Sequence, residues 1–163
     1  MFKIYMLVVL ALVFVACGVD NKPKVKSGMF QSVNTQDATL VQSGKNKHSC
    51  NRCGMNLVMF YKTSHKALHN NKPIQYCSIH CLEEHLGEEV TLKNPQVVDV
   101  ATLKFINVGD AYYVVGSKKR GTMSKISKYA FLDKKMAKKF QDKYGGKIMR
   151  FNEALAVAKK DFR

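Results

Sequence analysis

Acidic side chains are scarce in this chain, with 12 Asp and Glu against 27 Lys and Arg and a formal net charge of +15. That scarcity leaves no paired-carboxylate constellation for general acid–base chemistry, and no Ser/His/Asp arrangement stands in its place. An enzyme is therefore not expected. Long apolar runs are also missing. The one sustained stretch, Ile4 to Ala16, holds 13 residues, about 20 Å of helix against the roughly 30 Å of a bilayer's hydrocarbon core. Nor does clustered arginine alternate with aromatics: the basic residues are mostly lysines scattered along polar faces, so nucleic acid is not an expected partner. The charge reads instead as solubility and attraction to anionic lipid headgroups.

What is present begins with Lys3 and the short apolar run behind it, the pattern of a signal peptide over residues 1–16. Ala16, Cys17 and Gly18 resemble the lipobox of bacterial lipoproteins, with Phe14 where that pattern prefers leucine. The expectation is cleavage before Cys17, a diacylglyceryl group on its sulfur, and a chain held at a membrane. Removing 16 residues from 163 leaves 147, enough for one ordinary domain or two very small ones. Residues 17–47 are polar and without period, which predicts a flexible tether. Within it only Ala38 to Val41 has the composition of a short strand.

Regular structure is expected from about residue 48. His65 to His69 and Ile74 to Cys77 read as a β-hairpin around Asn70, Asn71, Lys72 and Pro73. Ser78 reads as the N-cap of a helix with Ile79, Leu82 and Leu86 on one face and Gly87 as its stop. Strands are predicted at Val97 to Val100, Leu103 to Val108 and Tyr112 to Val115. A second helix, Asp133 to Tyr144, has Met136, Phe140 and Tyr144 as its core stripe and ends at Gly145-Gly146. Lys147 to Phe151 reads as a strand, and Asn152 as the N-cap of a last helix carrying Leu155 and Ala158. The order predicts an α+β fold of two small halves of similar build after the signal peptide and tether, a cysteine-rich half over 48–95 and a second half over 96–163.

Apart from Cys17, the cysteines form two close pairs, Cys50-x2-Cys53 and Cys77-x3-Cys81. Thiolates at such spacing can share one soft ion, and the second pair sits at a strand-to-helix junction, where the helix N-terminus favours the thiolate. Met55 and Met59 add thioethers nearby, and His48, His80 and His85 flank the pairs. Cu(I) prefers thiolate and thioether donors, whereas Zn(II) takes thiolate and imidazole in tetrahedral geometry. Two structural disulfides, a zinc knuckle and thioredoxin-like redox chemistry are the other readings of four such cysteines. Met123, in a Gly121-Thr122-Met123-Ser124 setting without apolar periodicity, is a further candidate soft donor, with gap filling between the halves as its alternative role.

Taken in order, Cys50-Asn51-Arg52-Cys53-Gly54-Met55, Ile74 to Cys81, Ala111 to Ser117, Gly121-Thr122-Met123, Ala130-Phe131 and Tyr144-Gly145-Gly146 resemble the NosL family, over roughly Lys47 to Ala158. The Cys77-x3-Cys81 pair also resembles the metal-trafficking TRASH motif. Membership would imply a periplasmic Cu(I) chaperone, lipid-anchored to a bacterial membrane, that passes copper towards the metal centre of nitrous oxide reductase on a fold of two small ββαβ-type halves. The implied metal ligands are drawn from Cys50, Cys53, Met55, Cys77, Cys81 and Met123, and the implied partners are a client cuproprotein or a copper transporter. A homodimer is left open. The competing expectation is a zinc- or disulfide-stabilised periplasmic binding module with no role in delivery.

Overall fold

The structure, a computed structural model, describes residues 28–161. The expected signal peptide over 1–16 and the expected lipidation at Cys17 lie outside the described residues.

The expected hairpin is present, with strands β1 (His65–His69) and β2 (Lys72–Tyr76). Its loop is tighter than expected. Asn70 and Asn71 alone make the turn with φ of 50° and 61°, the left-handed pair that a two-residue hairpin loop requires. Pro73 lies inside β2, which is tolerated because β2 is an edge strand. Helix α1 (Ile79–Leu86) follows from Ser78 at its N-cap position to Gly87 at its C-cap. Strand β3 (Leu92–Val98) pairs with the other side of β1, and its register shifts opposite Ala67, where Asn94 (φ 49°) and Pro95 form the irregularity. A proline without an N–H belongs at such a bulge. Strand β4 (Phe105–Asn107) completes a four-stranded antiparallel sheet of order β2-β1-β3-β4. The division expected at 95/96 therefore cuts through β3, and the first sheet continues to Asn107.

The second half repeats the plan. Strand β5 (Tyr112–Val115) is central, flanked by β6 (Lys128–Phe131) and β7 (Lys147–Met149) in a three-stranded antiparallel sheet. Helix α2 (Lys134–Tyr144) connects β6 to β7, with the Asp133 side chain accepting from Lys135 N at 2.7 Å as its cap. Gly146 (φ 98°) lies so close to β5 that a Cβ there would stand 2.7 Å from Val115 O, so the turn out of α2 admits only glycine. Each half thus contains the ββαβ unit that the family resemblance implied, with its first strand in the middle, and β4 extends the first. Helix α3 (Phe151–Asp161) begins one residue ahead of Asn152, because Glu153 Oε2 accepts from Arg150 N at 2.8 Å and makes residue 150 the helix boundary. Met136, expected in the core stripe of α2, is exposed, while Ala137 and Phe140 are buried.

The halves are joined through a core of Ile79, Val97, Tyr113, Ala154 and Ala158, where the two small α3 residues one turn apart let α1 approach closely. A buried polar link accompanies it. His65 Nδ1 donates to Thr63 O (3.0 Å), and Nε2 accepts from Tyr113 Oη (3.1 Å), which holds β1 to β5. Burial pushes the His65 imidazole down to about 3, so it stays neutral.

Residues 28–47, expected within the tether, pack on this body. Phe30 stacks edge-on against Tyr129 (5.1 Å) beside Phe140, and the buried Gln31 donates through Nε2 to Arg120 O (2.8 Å) and Gly121 O (3.1 Å). Leu40 reaches the first half's core, and Val41 N donates to Gln75 Oε1 (3.1 Å). No strand forms at Ala38 to Val41. These are single anchors spaced without period, so a composition-based reading takes the segment for solvated chain.

Candidate metal centre

The first cysteine pair sits on a knuckle. Ser49 bridges Asn56, Cys50 N donates to Met55 O (2.8 Å), and Gly54 N returns to Cys50 O (3.0 Å), with Gly54 at φ 75° closing the loop. This tight turn brings the side chains of Cys50 and Cys53 to the same face. It is pinned to the end of β2 by Asn51 N donating to Gln75 O (2.9 Å) and Cys77 N donating to Cys50 Sγ (3.3 Å). The second pair is placed by α1: Cys77 immediately precedes its N-cap, and Cys81 is one turn in.

The four sulfurs all lie within 4.8 Å of one another, with Cys53–Cys77 at 3.5 Å and Cys77–Cys81 at 3.8 Å. A tetrahedral thiolate site with metal–sulfur bonds of about 2.3 Å would set its sulfurs about 3.8 Å apart. A disulfide needs about 2.05 Å, and all four thiols are free. The two-disulfide expectation therefore does not describe this cluster. Thioredoxin-like chemistry does not fit either, since Cys53 runs into the Gly54 turn and not into a helix.

Three of the thiols are buried and Cys53 is exposed. Close packing makes the cluster share negative charge unevenly. Hydrogen bonds from Cys77 and then Cys81 hold Cys50 far below the ordinary thiol range, against the opposing effect of burial. The bond to Cys50 pushes Cys77 up, helped by Cys81 and by burial, and the bond to Cys50 likewise raises Cys81. A bound cation would favour deprotonation of the nest.

The two candidate methionines are both half-buried and pack against the core cluster that contains Cys50, Cys77 and Cys81. Met123 lies in the loop between β5 and β6, a strand the sequence reading did not place, and has a left-handed backbone (φ 63°). That loop is tied to the thiols. Thr122 Oγ1 lies 2.8 Å from Thr63 Oγ1, which donates to Cys77 O at 2.8 Å. Met59 is exposed and outside the cluster.

The flanking histidines serve other groups. His85 Nδ1 is 2.8 Å from Tyr76 Oη, and its ring meets His69 edge-on at 4.9 Å. His80 faces away, with Nε2 at 3.2 Å from both Lys128 Nζ and Asp161 Oδ1. Asp161 Oδ2 accepts from Lys128 Nζ (2.6 Å) and from Ser124 Oγ (2.7 Å), so one carboxylate links α3, β6 and the Met123 loop. Burial drives His80 down to about 4, with Lys128 reinforcing the shift and Asp161 opposing it. No motif announces this trio, whose members are scattered over 81 residues of sequence. Arg52, beside Cys53, is held by Glu88 and Glu84.

Two comparisons place the chain among known proteins. The NosL family model matches residues 41–156. Among solved structures, the chain is similar to the crystal structure of the copper chaperone NosL from Shewanella denitrificans, at 30% identity and a TM-score of 0.55, over 71% of this chain and 93% of that one. No curated protein matches. With the family match covering most of the sequence and the solved relative sharing its fold, the chain belongs to the NosL family.

Proposed function

We propose that this chain is a copper chaperone that holds Cu(I) as cargo among Cys50, Cys53, Cys77 and Cys81 and passes it to a client metalloprotein. The observation that carries the reading is the asymmetry of the cluster: four soft donors within 4.8 Å, three buried and one exposed. Buried thiolates keep a soft monovalent ion away from water and from oxidation, while the exposed thiolate is the one an incoming ligand can replace. Release then proceeds by ligand exchange, with no redox change. A partner thiolate or thioether bonds to copper as Cys53 leaves, and the buried thiolates follow in turn. Met55 and Met123 are neutral thioethers beside the nest and would hold copper weakly enough to keep it transferable. The task is carriage, without catalysis.

Homology to a copper chaperone supports this cargo, and the signal-like N-terminus supports lipid anchoring at Cys17 on the periplasmic face of a bacterial membrane. The client is then a cuproprotein outside the cytoplasm or the transporter that supplies it, nitrous oxide reductase being the client that family membership favours. Cys17→Ser should leave the chain without its acyl group, as read by mass and by loss from the membrane fraction.

The tetrahedral sulfur spacing favours one competitor, structural Zn(II). Purifying the chain without oxygen, counting its thiols and offering Cu(I) and Zn(II) together separates the two. Copper bound in preference to zinc, and then released to a copper-free acceptor, is the expected result. Zinc retained against Cu(I), or copper that no acceptor can remove, would overturn the proposal.

A further inference from the structure

The first described residues enter the fold beside α2, and this fixes which face lies nearest the N-terminal segment. Phe30 packs on Phe140 and Tyr144 of α2 at 5.6 and 6.2 Å. Eleven peptide steps separate Cys17 from Gly28, a reach of at most about 40 Å. Cys17 therefore lies within about 40 Å of this side of the molecule, whatever holds it.

That side has an unusual surface. Leu132 and Met136 are 51% and 37% exposed, two of the four large apolar side chains left in solvent among the described residues. Met136 stands on one stripe of α2 with Lys139 and Lys143, at helical intervals of three and four, and Leu132 lies just ahead of the Asp133 cap. Lys62 and Lys119 crowd over the Phe30 ring at 4.7 and 5.0 Å, next to the same stripe. None of these four lysines has an acidic partner among the described residues, whereas the helix's own acids are engaged, Asp133 as the cap and Asp142 with Lys138 at 2.8 Å. Burial and the neighbouring Lys119 both lower Lys62, so the cluster gains from an external anion.

We propose that this face, formed by Leu132, Met136, Lys139 and Lys143 with Lys62 and Lys119 beside them, docks on an anionic phospholipid bilayer. A protein partner would ask for a larger apolar area or a groove; two projecting apolar side chains ringed by unpaired lysines suit the interfacial zone, where shallow insertion and headgroup phosphates act together. Docking would fix the orientation of an otherwise tethered body. It does not need the acyl group, so it stands or falls apart from the anchoring of Cys17.

The chain contains no tryptophan, so a single introduced indole reports without background. L132W in the full chain should be quenched by brominated lipid in vesicles rich in phosphatidylglycerol and much less in phosphatidylcholine, with or without C17S. M59W, on an exposed site of the first half, should not be quenched. Replacing Lys62, Lys119, Lys139 and Lys143 by Gln in the L132W chain should weaken binding to the anionic vesicles by on the order of tenfold or more. No quenching at L132W, equal quenching at M59W, or indifference to the four substitutions would overturn the proposal. An acidic protein as the true occupant would give the first of these results.

Discussion

The two halves share one ββαβ plan, and their strand-to-helix junctions correspond residue by residue when counted from the N-caps Ser78 and Asp133. By that count Cys77 matches Leu132 and Cys81 matches Met136. The first pair is 0% and 1% exposed, the second 51% and 37%. The backbone does not make the difference. Ahead of β1, the knuckle over 49–56 folds across the junction and adds two more thiols, whereas ahead of β5 there is only the short turn from β4 through Gly109 and Asp110. A strand feeding a helix offers two side chains one turn apart; what covers them decides whether they become a metal nest or a bare apolar tip.

The most direct way to break this comparison is to exchange chemistry at the matched positions. Cys77→Ser with Cys81→Ser should weaken Cu(I) binding at least about 1,000-fold, or 4 kcal/mol, against a competing chelator, while Leu132→Ser with Met136→Ser should leave it unchanged. Retained affinity in the cysteine variant would remove the first half's special status.

The second half itself carries two contrasting ion pairs. Lys128 and Asp161 are buried, with side chains 3% and 11% exposed, whereas Lys138 and Asp142 are 61% and 60% exposed. Asp161→Asn should cost about 3 kcal/mol in urea unfolding because it leaves a buried ammonium without its counter-ion. Asp142→Asn should cost less than about 0.5 kcal/mol.

Between the halves, His65 gives a pH signature. Its folded value of about 3 lies below the ordinary 6.5, so the unfolded chain binds the extra proton. Stability is then complete above the unfolded value and falls as pH drops through 6.5 towards 3. From pH 6.5 to 5 this group accounts for about 2 kcal/mol. Unfolding curves at the two pH values should show His65→Gln losing less than the parent by about that amount. An identical loss in both chains would mean that the link to Tyr113 does not govern the acid side.

The smallest effect concerns the loop through which the second half reaches the first half's site. Met123→Leu keeps volume and apolarity and removes the sulfur. Cu(I) affinity should fall about tenfold with the melting temperature of the metal-free chain unchanged. Unchanged affinity would return Met123 to simple packing.

The sequence was informative wherever one local rule acted alone. β1 and β5 lie at the bounds their composition predicted, and the two cysteine pairs announced themselves because short spacing already limits where thiols can go. β6 escaped because all four of its residues are buried, including Lys128, which reads as a solvent residue until Asp161 and His80 are brought to it. Met136 has the periodicity of a core position, yet no neighbouring element covers it. Phe30 and Gln31 could not be read at all, since the rings and carbonyls that their side chains meet in the second half lie about 90 to 114 residues away. Distance along the chain, more than local ambiguity, hid the remainder.

Asp161 also imposes an order of events on folding as the chain emerges. It lies 33 residues beyond Lys128, and the same carboxylate holds Ser124 in the Met123 loop. While the chain emerges from its N-terminal end, the knuckle, β1, β2 and α1 are complete once Leu86 has appeared, but the β6 ammonium meets its carboxylate only when residue 161 arrives. The thiol nest is therefore formed early and its methionine-bearing loop is fastened last. Partly emerged chains would display soft donors before the side that restrains access to them is in place, so copper loading suits only the chain that has folded through residue 161.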